Sequence, residues 1–259
     1  MRFDASFGGY ELTVWSDRNP ALPVGQDAWT VSEFPDGRLR AVVLDGVTPG
    51  IAGEWRLGLD QAVYAAALTR ATLQADAPLA VCLARAHTAL FEPTIELARY
   101  RPQTTAVAAD LHADGHVELV CAGDSEAWTR GPNGWQPLFP GDVLTADARA
   151  RFSALVARRA QFDLAAFIAQ EAALLAAPAD WQCTPIGGFE RLLLSTAAAE
   201  APTELVLASD GALLDPARLG RLDAWMKELR DWERAQNGAI ARIKRSDDVT
   251  VLRLSRSNG

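Results

Sequence analysis

The chain is poor in the residues that most often carry covalent or metal chemistry, with three cysteines and three histidines in 259 residues. Cys82, Cys121 and Cys183 are odd in number and far apart, and no Cys-x-x-Cys pair exists. Neither a disulfide framework nor a cysteine zinc site is indicated, and three buried thiols in a reducing compartment are expected. Cationic charge is also short: 25 Lys and Arg stand against 33 Asp and Glu, a net charge of −8. Such a chain repels phosphate backbones and anionic membrane surfaces, which argues against nucleic acid and membrane as partners. No apolar run approaches the roughly 18 residues of a membrane span. The stretch MRFDASFGGYELTVW has neither the charged region nor the apolar core of a signal peptide, so a soluble, cytoplasmic protein is expected. A Ser/Gly/Pro-rich linker and an internal repeat are missing too, and one domain over residues 1–259 is the simpler reading.

What is present is material for a large core, since 49 % of the residues are hydrophobic. Residues 10–15 and 27–32 alternate in polarity as strands do, and Asp36-Gly37 turns the chain into a third strand over 38–44. From Glu54 the period becomes helical. Trp55, Leu59, Ala62, Val63, Ala66 and Ala67 share one face, and a second helix is predicted from Pro78 to about Glu92. Strands over 104–111 and 117–122 flank a turn at Asp114-Gly115, and strands over 127–130 and 135–138 flank Asn133-Gly134. Helix is predicted over 146–177, strand over 191–196 and 204–208, a charged amphipathic helix over 216–236, and a last strand over 249–254. Hairpin-joined strands with helix pairs inserted between them predict an α+β protein with antiparallel sheet, not a βαβ winding.

Aspartate-glycine is first a turn signal, and the pairs at 36, 114 and 133 each join two strands. Asp45-Gly46, in VVLDG, and Asp210-Gly211, in LASDG, behave differently: each ends an apolar strand and is followed by a helix. A core strand that deposits an acid where the chain leaves presents that acid at the rim of the sheet. Desolvated carboxylates are costly unless paired, and a divalent cation is the partner that tolerates several of them. The following glycine would let its carbonyl approach the same ion. Asp124 follows the strand over 117–122, Asp247 and Asp248 precede the last strand, and Asp27 stands at a strand entrance. Acids at so many strand ends form a candidate oxygen-rich site for Mg²⁺ or Mn²⁺.

Other candidates carry less. His112 and His116 have zinc-like spacing, but the Asp-Gly turn between them makes them hairpin residues. His87 falls inside a helix, Ser125 and Ser209 share no nucleophile motif with a histidine, and Ile186-Gly-Gly-Phe189 lacks the lysine of a phosphate loop. Trp29 lies near enough to the acids to line their site.

The ordered series GQDAW, VVLDGV, TTAVAA, AGDS, LASDG and DDVTV resembles the metal-dependent serine/threonine phosphatases of the PPM (type 2C) family over residues 25–251. That resemblance implies a β-sandwich of two antiparallel sheets flanked by helix pairs (four layers, αββα), with a metal centre at one edge. It implies two or three Mn²⁺ or Mg²⁺ ions, with Asp45 bridging two of them, the Gly46 carbonyl holding one, and Asp210 and Asp247 completing the other. Asp124 would serve a weaker third ion, Asp27 would act through water, and Arg18 would grip phosphate. The implied reaction is hydrolysis of phosphoserine or phosphothreonine on a partner protein, a serine/threonine kinase being a further candidate partner, by activated water and with no protein nucleophile. The chain departs from the pattern in several places, among them Arg101-Pro-Gln103 in place of a threonine-glycine-rich lead and residues 144–148 in place of a DHS segment. Val47 stands where relatives often have histidine, Glu126 where they often have arginine, and Arg18 is nine residues before Asp27. These departures keep open a pseudophosphatase acting as a binding or regulatory module, and a metal phosphohydrolase acting on a small molecule.

Overall fold

A computed structural model of the chain describes residues 1–18, 24–47, 55–91, 102–140, 143–158, 161–162, 166, 170, 173–174, 177–235 and 248–257. Strands β1 (Arg2–Phe7) and β2 (Tyr10–Asp17) form a hairpin about Gly8-Gly9, both glycines at positive φ. β3 (Ala28–Glu33) and β4 (Leu39–Val47) follow, then helices α1 (Trp55–Leu73) and α2 (Leu79–Phe91). Next come β5 (Gln103–Leu111), β6 (His116–Ala122), β7 (Glu126–Gly131), β8 (Gly134–Pro140) and α3 (Ala146–Ala157). The chain closes with β9 (Ser195–Glu200), β10 (Glu204–Ala208), α4 (Pro216–Leu219), α5 (Leu222–Ala235) and β11 (Val249–Arg256).

The strands form two antiparallel sheets, β1-β2-β11-β10-β7-β8 and β3-β4-β5-β6-β9. Alternation along each central strand shows how they stack. Leu39, Ala41 and Val43 of β4 meet Leu205, Leu207, Leu252 and Leu254 of the other sheet in one core. The intervening Val42 and Leu44 point outward to α1 and α2. In the other sheet Val206, Ala208, Val249 and Val251 point outward to α4 and α5. The central strands are covered on both faces, so they read as continuous apolar runs and not as alternating ones. The result is four layers, helix-sheet-sheet-helix, as the family resemblance implied. Among the described residues no helix is long and apolar enough to cross a membrane.

Several elements differ from the sequence expectations. β1 was not expected, because an edge strand with most residues exposed shows no apolar face. The strand expected over 191–196 lies at Ser195–Glu200, an alanine-rich edge strand paired with β6. The helix expected over 216–236 is broken at Gly220 into α4 and α5. On α1 the buried face runs through Ala62, Ala65, Ala66, Thr69 and Leu73, leaving Ala67 exposed. Of the helix expected over 146–177, Ala146–Ala157 is helical, and much of the remainder lies outside the described residues.

One ion pair interrupts the apolar layer under α1 and α2. Arg40 and Asp110 are register partners on β4 and β5, and both are buried. The guanidinium meets the carboxylate twice at 2.6 Å and donates to the carbonyls of Leu73, Ala75 and Ala77, where α1 ends and turns toward α2. Arg38 reaches the same carboxylate at 2.7 Å. Every charge is hydrogen-bonded, the condition under which a buried pair is tolerated. The pair also fixes the helix hairpin to the sheet.

Two outcomes follow. Asp110→Ala leaves Arg40 buried without its counter-charge and should cost about 3–5 kcal/mol of unfolding free energy in urea titration. On β6 the His116 imidazole lies 2.9 Å from Glu200, which raises its pKa above the ordinary 6.5. A group raised on folding stabilises the fold below its unfolded pKa, and that contribution is lost as pH rises through the folded value. An NMR titration should place His116 above 6.5, and Glu200→Gln should return it toward that value.

Candidate functional site

The acids singled out in the sequence emerge at one end of the sandwich, as strand register shows. Asp45 and Gly46 near the end of β4 lie opposite Thr105 and Thr104 on β5. Ala28 lies opposite Leu44, so Asp27 enters β3 beside Asp45. Ala106 lies opposite Ala122, so the loop Gly123-Asp124-Ser125 leaves β6 beside Thr105, and the Ser125 and Thr105 hydroxyls are 2.8 Å apart. In the second sheet Ala208 lies opposite Val251, and the Ser209 N–H donates to the Thr250 carbonyl at 3.0 Å. Asp210 opens a short 3₁₀ turn directly after Ser209, and Asp248 directly precedes β11.

Hydrogen bonds then join the two sheets at this end. The Ser209 hydroxyl donates to Asp27 Oδ2 at 2.8 Å and accepts the Thr250 N–H at 2.9 Å. The Gln26 N–H donates to the Asp248 carboxylate. Asp27, Asp45, Asp124, Asp210 and Asp248 therefore belong to one rim, and Asp45 and Asp248 are buried there. Asp247 lies outside the described residues. Arg18 directly follows β2, whose last residue, Asp17, pairs with Val249. A Cβ built on Gly25 would stand 3.3 Å from the Arg18 Cβ and 3.8 Å from Asp248 Oδ2. Gly25 thus brings Arg18 and Asp248 together and places Arg18 at the same rim.

Two glycines in these motifs have packing reasons. A Cβ on Gly46 would lie 2.8 Å from the Ala62 carbonyl of α1, so close helix packing demands glycine there, whatever its carbonyl binds. Gly123 has φ +82°, and a Cβ would lie 2.5 Å from Thr105 Cγ2. Behind this loop sit two of the three thiols. The Gly123 N–H donates to Cys183 Sγ at 3.2 Å, and the Cys121 thiol donates to the carbonyls of Gly123 and Ser125. The contact with Cys121, seconded by backbone donors, lowers the Cys183 thiol to about 6, and the same contact together with burial pushes Cys121 well up.

Other sequence candidates stand elsewhere. Trp29 packs against the sandwich core, 5.6 Å from the Phe3 ring, so its role is packing. His87 accepts the Gly187 N–H and stacks on Phe91 within α2. His112 and His116 sit on the β5–β6 hairpin, at the opposite end of β5 from Thr105. Glu126, which departs from the family pattern, accepts from the Trp128 indole at 3.0 Å on the helix-facing side of β7. Sequence reasoning missed Ser209, Gln26, Thr104 and Ser125 as tie points. A serine between a core strand and an acid was the one signal available.

The donors on this rim are all oxygen, a set that suits hard divalent cations and not zinc or copper. Among the described residues no three acidic, histidine or cysteine side chains close on one point. Like charges on neighbouring strand ends repel. The donor set fits Mg²⁺ or Mn²⁺ in type, and such an ion would draw the carboxylates together.

No family model matches the chain, and no curated protein matches it. Solved structures do. RsbX in complex with magnesium superposes with a TM-score of 0.60 over 98 % of this chain and 99 % of its own, at 11 % identity. Serine/threonine phosphatase Stp1 from Staphylococcus aureus gives 0.60 over 100 % and 98 %, at 15 % identity. PppA, a regulatory component of T6SS in Pseudomonas aeruginosa, gives 0.60 over 98 % and 99 %, at 17 % identity. The fold is that of the PPM phosphatases. At these identities the likeness carries the fold and nothing finer.

Gly123→Ala combines a left-handed backbone with a collision against Thr105. It should cost about 1–3 kcal/mol in urea unfolding.

Proposed function

We propose that the chain is a PPM-family phosphatase, one domain over 1–259, that hydrolyses phosphoserine or phosphothreonine monoesters on a partner protein in the cytoplasm. What carries the reading is the gathering of Asp27, Asp45, Asp124 and Asp210 at one rim of this fold, from positions spread over 184 residues (210 − 27 + 1). A neighbour in fold, RsbX, was solved with magnesium, which supports Mn²⁺ or Mg²⁺ as the cofactor here. PppA is described as regulatory, which supports a regulatory phosphoprotein as substrate. A serine/threonine kinase is the enzyme class that would supply it.

Asp45, the Gly46 carbonyl, Asp210 and Asp247 would hold two cations, and Asp124 a third. Bound there, the ions would lower the pKa of water toward neutrality and neutralise charge on the phosphoryl oxygens. Asp27, held on one oxygen by Ser209, would orient the attacking water with the other. Arg18, exposed beside Gly25, would engage the phosphate as a bidentate donor. Attack in line with the leaving oxygen releases the serine or threonine hydroxyl after protonation by solvent.

The test compares wild type, Asp45→Ala and Asp210→Ala with Mn²⁺ on an aryl phosphate and on phosphothreonine peptides. Wild type should turn over both substrates, and each variant should lose about a thousandfold or more in kcat/KM. A wild type inactive on both substrates would refute the assignment. Failure to bind Mn²⁺ in calorimetry as well would identify a fold kept as a binding module, and turnover of small phosphate esters alone would identify a metabolite phosphohydrolase.

A further inference from the structure

Ser209 is fully buried, and its hydroxyl is used in both directions. It accepts the Thr250 N–H at 2.9 Å and donates its single proton to Asp27 Oδ2 at 2.8 Å. The alternative acceptor, the Thr250 carbonyl, is 3.5 Å away, so the carboxylate is the better partner by distance and by charge. Ser209 and Thr250 belong to the ends of β10 and β11, whereas Asp27 enters β3 of the other sheet. One hydroxyl therefore links the sheets where the acids gather.

The link also has a chemical consequence. A carboxylate turns freely about its last torsion, a broad and roughly two-fold well. A buried donor fixed on one oxygen limits where the second oxygen can face. The Ser209 donor is itself fixed, because its acceptor side is taken by a backbone amide within the sheet. We propose that Ser209 is a positioning residue for the reaction: it sets the Asp27 carboxylate, and through it the water that Asp27 orients. This rests on the function proposed above, since Asp27 needs a set direction only if it performs that task.

The experiment is a double-mutant cycle of wild type, Ser209→Ala, Asp27→Ala and the double variant. It reads kcat and KM on an aryl phosphate at saturating Mn²⁺, and Mn²⁺ affinity by electron paramagnetic resonance. Ser209→Ala should lower kcat about tenfold to a hundredfold, the weight of one hydrogen bond to a charged group, while KM stays within about twofold. In the Asp27→Ala background the same change should cost nothing further. A serine that only holds the fold would cost the same factor in both backgrounds, and that result overturns the proposal; so does a Ser209→Ala enzyme with wild-type kcat. If Ser209→Ala does not fold by circular dichroism, Ser209→Cys, which keeps a weak donor, enters the cycle under the same criteria. Should wild type turn over phosphothreonine peptides but not the ester, the cycle is read on a peptide under the same criteria. Should it turn over neither, the functional reading fails, and the positioning role falls with it.

Discussion

The central strands β4, β5, β10 and β11 are covered on both faces, by the opposite sheet within and by helices without. A carboxylate placed mid-strand would be stripped of water with nothing to replace it. The strand ends are where the chain can carry charge, and this double burial dictates the rest of the structure. It explains why Asp45 stands late in β4, why Asp27 and Asp248 stand just before strands, and why Asp124 and Asp210 stand just after them. Asp110, near the end of β5 away from the rim, is buried as well. It survives because Arg40 and Arg38 surround it, and Arg40 in turn is satisfied by three backbone carbonyls.

Bringing five acids to one rim raises a second difficulty, since their charges repel and burial strengthens the repulsion. The structure answers with neutral ties from hydroxyls and a backbone amide. Ser209 takes one oxygen of Asp27, and Gln26 takes one of Asp248 with its N–H. Thr104 binds the carbonyl of Asp45 and not its side chain. Thr105 holds Ser125, the neighbour of Asp124, and not Asp124 itself. Each tie fixes a position without neutralising the charge, which is the pattern expected where a cation is to bind.

How much of this the sequence disclosed depended on the kind of signal. Asp36, Asp114 and Asn133 precede glycines at positive φ in hairpins, as the turn chemistry predicts. Asp45 and Asp210 were separable from them because no return strand follows, and that distinction located the rim. Gly46 has a second reason to be glycine that was not legible: its lack of a side chain also answers to Ala62 on α1, a contact across 16 residues (62 − 46) that no local pattern encodes. β1 and β9 were missed or shifted because edge strands need no apolar face. Arg40 and Asp110 are 70 residues apart and meet only through register, so nothing in either local sequence announces the pair. The tie points Ser209, Gln26 and Thr104 were unreadable for the same reason. Their partners lie in the opposite sheet or a neighbouring strand.

The outer helix layer completes the argument, because it reaches the rim from behind. The turn that carries Asp210 ends at Leu213 in a left-handed conformation, φ +50°, which a branched side chain adopts only under constraint. The constraint is visible. The Trp225 indole of α5 donates to the Ala212 carbonyl at 2.9 Å, and Arg218, stacked on that indole at 4.1 Å, donates to the Leu213 carbonyl. Farther along α5, Arg230 donates to the carbonyl of Asp17 at 2.8 Å, immediately before Arg18. One helix therefore anchors both the acid that closes β10 and the strand end that presents the candidate phosphate-binding arginine. Backbone strain held by over-determined contacts is what a site needs when its direction must not relax, and here the strain and the contacts lie within three residues of Asp210.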